Sequence, residues 1–83
     1  MNGVENVKLF LQREINNLIG YVKRGTTEFN GEEMEPDKAE RLIIKEIWTY
    51  QCILHMLDEK NGLPDRSLIK ELEQIVEQRA GGF

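Results

Sequence analysis

The chain has 83 residues, a formal net charge of −4 and a single cysteine, Cys52. This length predicts one domain with a thin core. The lone thiol excludes a disulfide framework and suits a reducing compartment. The acidic charge argues against binding to nucleic acid or to anionic lipid, both of which attract basic surfaces. No apolar run exceeds three residues and no basic region precedes one at the N-terminus, so we expect a cytoplasmic protein without a membrane span or signal peptide.

Apolar residues at helical spacing predict a first helix over about residues 4–24. They are separated by three or four positions and therefore share one stripe of a helix. The stripe consists of Val4, Val7, Leu11, Ile15, Leu18 and Val22. Asn2 is expected to cap this helix in a capping box with Glu5, and Gly25 is expected to end it.

Residues 25–35 are predicted to form an acidic loop. The dipeptide Asn30-Gly31 strongly indicates a turn, and its flanks have the length of a very short hairpin. We expect an irregular loop instead, because a lone two-stranded hairpin is marginal in water. Phe29 and Met34 are expected to cover one end of the core.

A second helix is predicted over about residues 36–59 and a third over about residues 65–79, followed by a frayed tail at 80–83. Pro36 is tolerated only in a first turn, and Asp37 with Glu40 resembles a capping box. Pro64 prevents the second helix from continuing. The chain is therefore predicted to be an all-α, three-helix domain with two long helices and a shorter C-terminal helix.

The second helix has more apolar surface than one face requires. Beside its main face runs a second row at i, i+4 spacing, flanked by one histidine: Ile44, Trp48, Cys52, His55 and Met56. One interpretation places this helix between the other two, with both rows inside the core. The other makes the row an interface, either with a partner or with a second copy in a homodimeric bundle, since tryptophan and methionine are enriched at contact surfaces.

Cys52, His55 and Glu59 lie on one face of the second helix if it extends that far, and all three are residue types that bind zinc. A closed site needs four ligands, and the chain has no second cysteine or histidine. Cys52 and His55 also have the residue types of a nucleophile and its base, but nothing nearby resembles an oxyanion donor. We therefore predict no enzyme, no metal and no cofactor.

Five acidic residues fall within ten positions without an intervening base: Glu28, Glu32, Glu33, Glu35 and Asp37. They form either a solvated loop with a favourable helix start, or a negatively charged segment that attracts a basic protein surface. The second interpretation predicts a non-enzymatic protein–protein interaction module, a small acidic regulator, adaptor or inhibitor. An inhibitor of nucleic-acid-handling machinery, of the type carried by phages or mobile elements, is one example.

The alternative function is a small DNA-binding regulator of the helix-turn-helix type. Residues 60–64 are a turn of suitable length, and the third helix would then be the recognition helix. That helix mixes bases with acids, since Arg66, Lys70 and Arg79 are set against Asp65, Glu71, Glu73 and Glu77. This balance disfavours contact with a phosphate backbone.

Overall fold

The computed structural model describes residues 3–80. Helices account for 74% of the structure, which confirms the predicted all-α class. In chain order the elements are α1 (Gly3–Arg24), β1 (Glu28–Phe29), β2 (Glu32–Glu33), α2 (Pro36–Leu57) and α3 (Ser67–Ala80). Among the described residues, no helix is both long enough and apolar enough to cross a membrane.

The end of α1 agrees with the sequence prediction. Gly25 has a φ of 85°, and its amide donates to the Tyr21 carbonyl at 2.9 Å. A glycine in the left-handed region is the usual residue at this position. The proposed cap at Asn2 and the tail beyond Ala80 lie outside the described residues.

The start of α2 corrects the predicted capping box. Glu35 precedes the helix in extended backbone, Pro36 is its first residue, and no side chain within residues 3–80 caps it. Glu40 is only 2% exposed and therefore points into the domain instead of back along the helix. The helix also ends earlier than expected, because Glu59 leaves the helical path with a φ of 58°.

The expectation of an irregular loop at 25–35 was wrong. β1 and β2 pair antiparallel, with Glu28 opposite Glu33 and Phe29 opposite Glu32. Asn30 and Gly31 both have positive φ, at 52° and 80°, as a tight hairpin turn requires. An isolated hairpin of this size is unstable, but Phe29 packs against the helical core, so tertiary contact supplies the missing stability.

The helices run antiparallel in sequence order around one core. Lys8 Nζ lies 2.8 Å from Asp58, so the start of α1 is beside the end of α2. Arg79 bonds to Glu40, so the end of α3 is beside the start of α2. The buried cluster takes residues from all three helices: Ile15, Val22, Ile43, Ile44, Ile47, Ile69, Leu72 and Val76.

The third helix is too short to cover the whole of the other two. At 1.5 Å per residue, α1 and α2 are each about 33 Å long and α3 is about 21 Å long. The pair therefore extends past α3 by roughly two turns. We call residues 3–10 of α1 and residues 53–57 of α2 the overhang. Val4 and Val7 belong to the predicted core stripe, yet they are 42% and 47% exposed because no third helix reaches them.

Candidate functional site

The hairpin and the residues that follow it carry the five acids singled out in the sequence, here called the acidic arm. Glu28, Glu32, Glu33 and Glu35 are exposed, and Asp37 is half-buried. None of the five forms an ion pair with another residue within the described part of the chain. The chain has 15 acidic and 11 basic residues, so the part outside the arm has ten acidic and eleven basic residues. The entire net negative charge therefore resides in the acidic arm.

Strand pairing places two carboxylates of the arm directly opposite each other. Glu28 is the cross-strand partner of Glu33, and directly opposed side chains lie about 5 Å apart at their Cβ atoms. Side chains alternate along a strand, so Glu28 faces away from the core that Phe29 contacts. Like charges in this arrangement repel, which lowers the stability of the hairpin. The fold thus holds a local concentration of negative charge towards solvent.

The second apolar row of α2 passes from the interior to the surface along the helix. Ile44 is only 4% exposed and belongs to the core, whereas Met56 is 72% exposed. Trp48 is half-buried against the core, with the guanidinium of Arg66 4.5 Å from its ring centroid. Cys52 and His55 are also half-buried. The row is buried at its beginning, where α3 covers it, and exposed at its end, which α3 does not cover.

The structure does not assemble Cys52, His55 and Glu59 into a ligand set. Glu59 lies beyond the end of α2 in a left-handed conformation, so the helical spacing that would align it with the other two is lost. His55 Nε2 lies 3.1 Å from the Asn61 carbonyl oxygen. No group of three or more potential metal ligands comes together in residues 3–80.

A polar junction of the three helices lies beside the acidic arm, and it was not predicted from the sequence. Arg79 of α3 donates to the Glu40 carboxylate and to the Val22 carbonyl. The junction lines an open cleft of about 860 Å³ that also includes Arg24 and Asp37. The available signal was the position of Glu40, which precedes Ile43 and Ile44 by three and four residues and so shares their buried face.

The packing of α3 bears on the DNA-binding alternative. This helix runs back along α2, with Ile69, Leu72 and Val76 buried against the other helices. Its exposed face includes Lys70 and Glu71, so the surface left for another molecule carries both charges. If this face of α3 contacted DNA, its carboxylates would lie against the negatively charged phosphates.

Comparison with protein-family models, curated proteins and solved structures gave no match. Function is therefore inferred from the chain's own charges and packing. Two surfaces stand out on the described residues, the acidic arm and the overhang, and they lie at opposite ends of the α1–α2 pair.

Proposed function

We propose that this chain is a non-enzymatic protein-interaction module, a small acidic regulator or adaptor that binds a basic surface of another protein through its acidic arm. The observation that carries this proposal is the Glu28–Glu33 pairing. Two carboxylates face each other across a hairpin, and no cation of the described residues neutralises them.

The energetics favour an external partner for these carboxylates. A cross-strand pair of like charges destabilises the hairpin, and the packing of Phe29 against the core offsets this cost. A lysine or arginine from a partner removes this repulsion, so binding gains more than it would from an already neutralised site. The arm also carries the whole net charge of the chain, and such a concentrated charge accelerates association with a basic surface.

The spacing of the acids supports an inhibitor as one form of this regulator. Successive carboxylates on a hairpin present a local polyanion, and basic grooves that bind nucleic acid attract polyanions. A protein that occupies such a groove competes with the nucleic acid. Under this hypothesis the partner is a nucleic-acid-handling protein and the acidic arm is the competing element.

The test is affinity capture from cells of the source organism with three forms of the chain. The arm variant carries Glu28→Gln, Glu32→Gln and Glu33→Gln. The matched control carries Glu71→Gln, Glu73→Gln and Glu77→Gln on α3, which alters the net charge equally. We expect a protein that is retained by the wild type and the control and lost by the arm variant. The rate at which that protein associates with the wild-type chain should fall as salt is added.

Two results would contradict the proposal. Retention of the same proteins by the arm variant would show that the arm does not make the contact. Recovery of DNA fragments with no protein above background would favour the DNA-binding alternative.

A further inference from the structure

A groove lies beside the acidic arm, between α1, α2 and the hairpin, and is here called the hairpin groove. Its volume is about 390 Å³, and it is distinct from the larger cleft at the Arg79 junction. The side chains that shape it come from one face of each long helix and from β1: Glu14, Leu18, Tyr21, Ile43, Glu46 and Phe29. The hairpin thus turns the space between two packed helices into a binding groove.

Much of the groove surface is apolar. Ile43 is only 3% exposed, and Leu18 and Phe29 pack against the core while remaining partly accessible. Apolar surface of this kind suits the methylene stem of a long side chain whose polar head stays near water. Tyr21 and Phe29 add aromatic surface, on which a cationic head packs favourably.

Three carboxylates line the same groove, and no base of the described residues lines it. They belong to Glu14 of α1, Glu46 of α2 and Glu28 of the acidic arm. None of them forms an ion pair within residues 3–80. Glu14 and Glu46 are half-buried, so water screens their charges less than it screens a fully exposed carboxylate. The groove therefore combines apolar walls with unbalanced negative charge.

Two basic side chains lie near the groove without neutralising it. The guanidinium of Arg24 lies over the Tyr21 ring, 5.2 Å from its centroid. Lys45 is exposed on α2, next to Glu46 in the chain. Neither forms an ion pair with any of the three groove carboxylates. The complementary occupant is consequently a cation that another molecule supplies.

We propose that the hairpin groove receives an arginine side chain of the partner protein. This inference rests on the proposed function, because the arginine belongs to the basic surface that the acidic arm attracts. Its stem packs on Leu18 and Phe29, and its guanidinium bonds to the carboxylates of Glu14 and Glu46. Arginine suits the groove better than lysine, because its planar fork bonds carboxylates through several N–H groups and its face packs on aromatic rings.

The test is titration of the isotope-labelled full chain with a blocked glycine-arginine-glycine tripeptide, followed by two-dimensional NMR. The matched probe has citrulline in place of arginine, which has nearly the same shape but no charge. We expect saturable shifts of the Leu18, Phe29 and Ile43 amides with the arginine peptide, and binding about tenfold weaker with the citrulline peptide. Equal affinity for the two peptides, or shifts that spare these amides, overturns the proposal.

A pair of substitutions in the groove tests the carboxylates themselves. Glu14→Gln with Glu46→Gln removes two charges, keeps the side-chain shape and leaves an amide oxygen for the Tyr50 hydroxyl, which now donates to Glu46 at 2.7 Å. The arginine peptide should bind this pair about tenfold more weakly. The control, Glu71→Gln with Glu77→Gln on α3, loses the same charge and should bind it as the wild type does. Equal affinity of the two pairs overturns the proposal.

A second pair of substitutions separates this inference from the proposed function. Glu32→Gln with Glu33→Gln alters the acidic arm without changing a residue of the groove wall. If this pair weakens binding of the arginine peptide as much as the groove pair does, the peptide contacts the arm, and the groove is not its site even though the proposed function stands. If the arm variant retains the captured protein while the groove pair fails to bind the peptide, the proposed function fails and the arginine site stands.

Discussion

Arg79 at the end of α3 joins the buried carboxylate of Glu40 on α2 to the Val22 carbonyl in the last turn of α1. One side chain thereby connects all three helices. It neutralises a carboxylate that is 2% exposed and is a second donor to the Val22 carbonyl, which also accepts from the Gly25 amide at 3.2 Å. Gly25 permits this arrangement, because a Cβ there would lie 2.7 Å from the Arg79 guanidinium.

The variant Arg79→Met should destabilise the domain by leaving the Glu40 carboxylate buried and unpaired. Fully buried pairs cost about 3–5 kcal/mol when broken in this way. Since the Arg79 side chain is 38% exposed, solvent screens part of this interaction, and we expect a loss of about 2 kcal/mol. Urea unfolding of both proteins gives the difference directly.

The double variant Glu40→Leu, Arg79→Met tests the cause of that loss. Removing both charges leaves no uncompensated carboxylate, so most of the stability lost in Arg79→Met should return. If the double variant is as unstable as Arg79→Met, the bond to the Val22 carbonyl is the important contact and the Glu40 pair is not.

The Lys8–Asp58 pair should make stability depend on pH at both extremes. The hydrogen bond from Lys8 lowers the pKa of Asp58, and the same bond raises the pKa of Lys8. A carboxyl with a lowered pKa stabilises the fold above its unfolded value and loses this effect as the pH falls through the folded value. An amine with a raised pKa stabilises the fold below its unfolded value and loses this effect as the pH rises through the folded value.

Asp58→Asn should therefore be less stable than the wild type at neutral pH, with the difference closing below the ordinary aspartate pKa of 3.8. Urea unfolding of the wild type and of Asp58→Asn, at neutral pH and again at acid pH below the ordinary aspartate pKa, measures this difference in stability. Asp65, whose pKa is lowered by hydrogen bonds from Ser67, adds to the acid loss, so the variant with both Asp58→Asn and Asp65→Asn should vary least with acid pH. A constant gap between the wild type and Asp58→Asn would show that the ion pair does not contribute.

The substitution Glu33→Lys should raise stability and weaken partner binding together. It converts the repulsive pair with Glu28 into an attractive one, which favours the hairpin by about 0.2–1 kcal/mol. The same change removes negative charge from the arm, so association with the basic partner proposed above should slow. Thermal unfolding and binding kinetics on the same sample check both effects, and a destabilised Glu33→Lys would argue against the cross-strand pairing.

The core substitution Leu72→Ala tests whether α3 is an integral part of the fold. Leu72 has no exposed surface, so its truncation should cost about 2–5 kcal/mol through lost burial and a cavity. Leu63→Ala is the control, because Leu63 is 75% exposed and its truncation should change stability by less than about 0.5 kcal/mol. Loss of α3 alone in Leu72→Ala, with α1 and α2 still protected from hydrogen exchange, would mean that the third helix folds separately.

The sequence by itself determined the helical class, the number of helices and most of their ends. These features are local: apolar residues three or four positions apart define a helix face, and Gly25 and Pro36 have backbone preferences that set boundaries without reference to the rest of the chain. The acidic arm was likewise visible in the sequence, because five acids in ten residues are a matter of composition.

Tertiary structure decided the features that depend on what lies opposite a residue. The hairpin is stable because Phe29 packs against the core, and the buried carboxylate of Glu40 is paired because Arg79, 39 residues away in the chain, lies beside it. Val4 and Leu11 occupy the same predicted stripe, yet only Leu11 is buried, since the length and placement of α3 determine which turns of α1 are covered. Helical periodicity predicts which way a side chain faces, and only the packed structure shows whether another element is there to meet it.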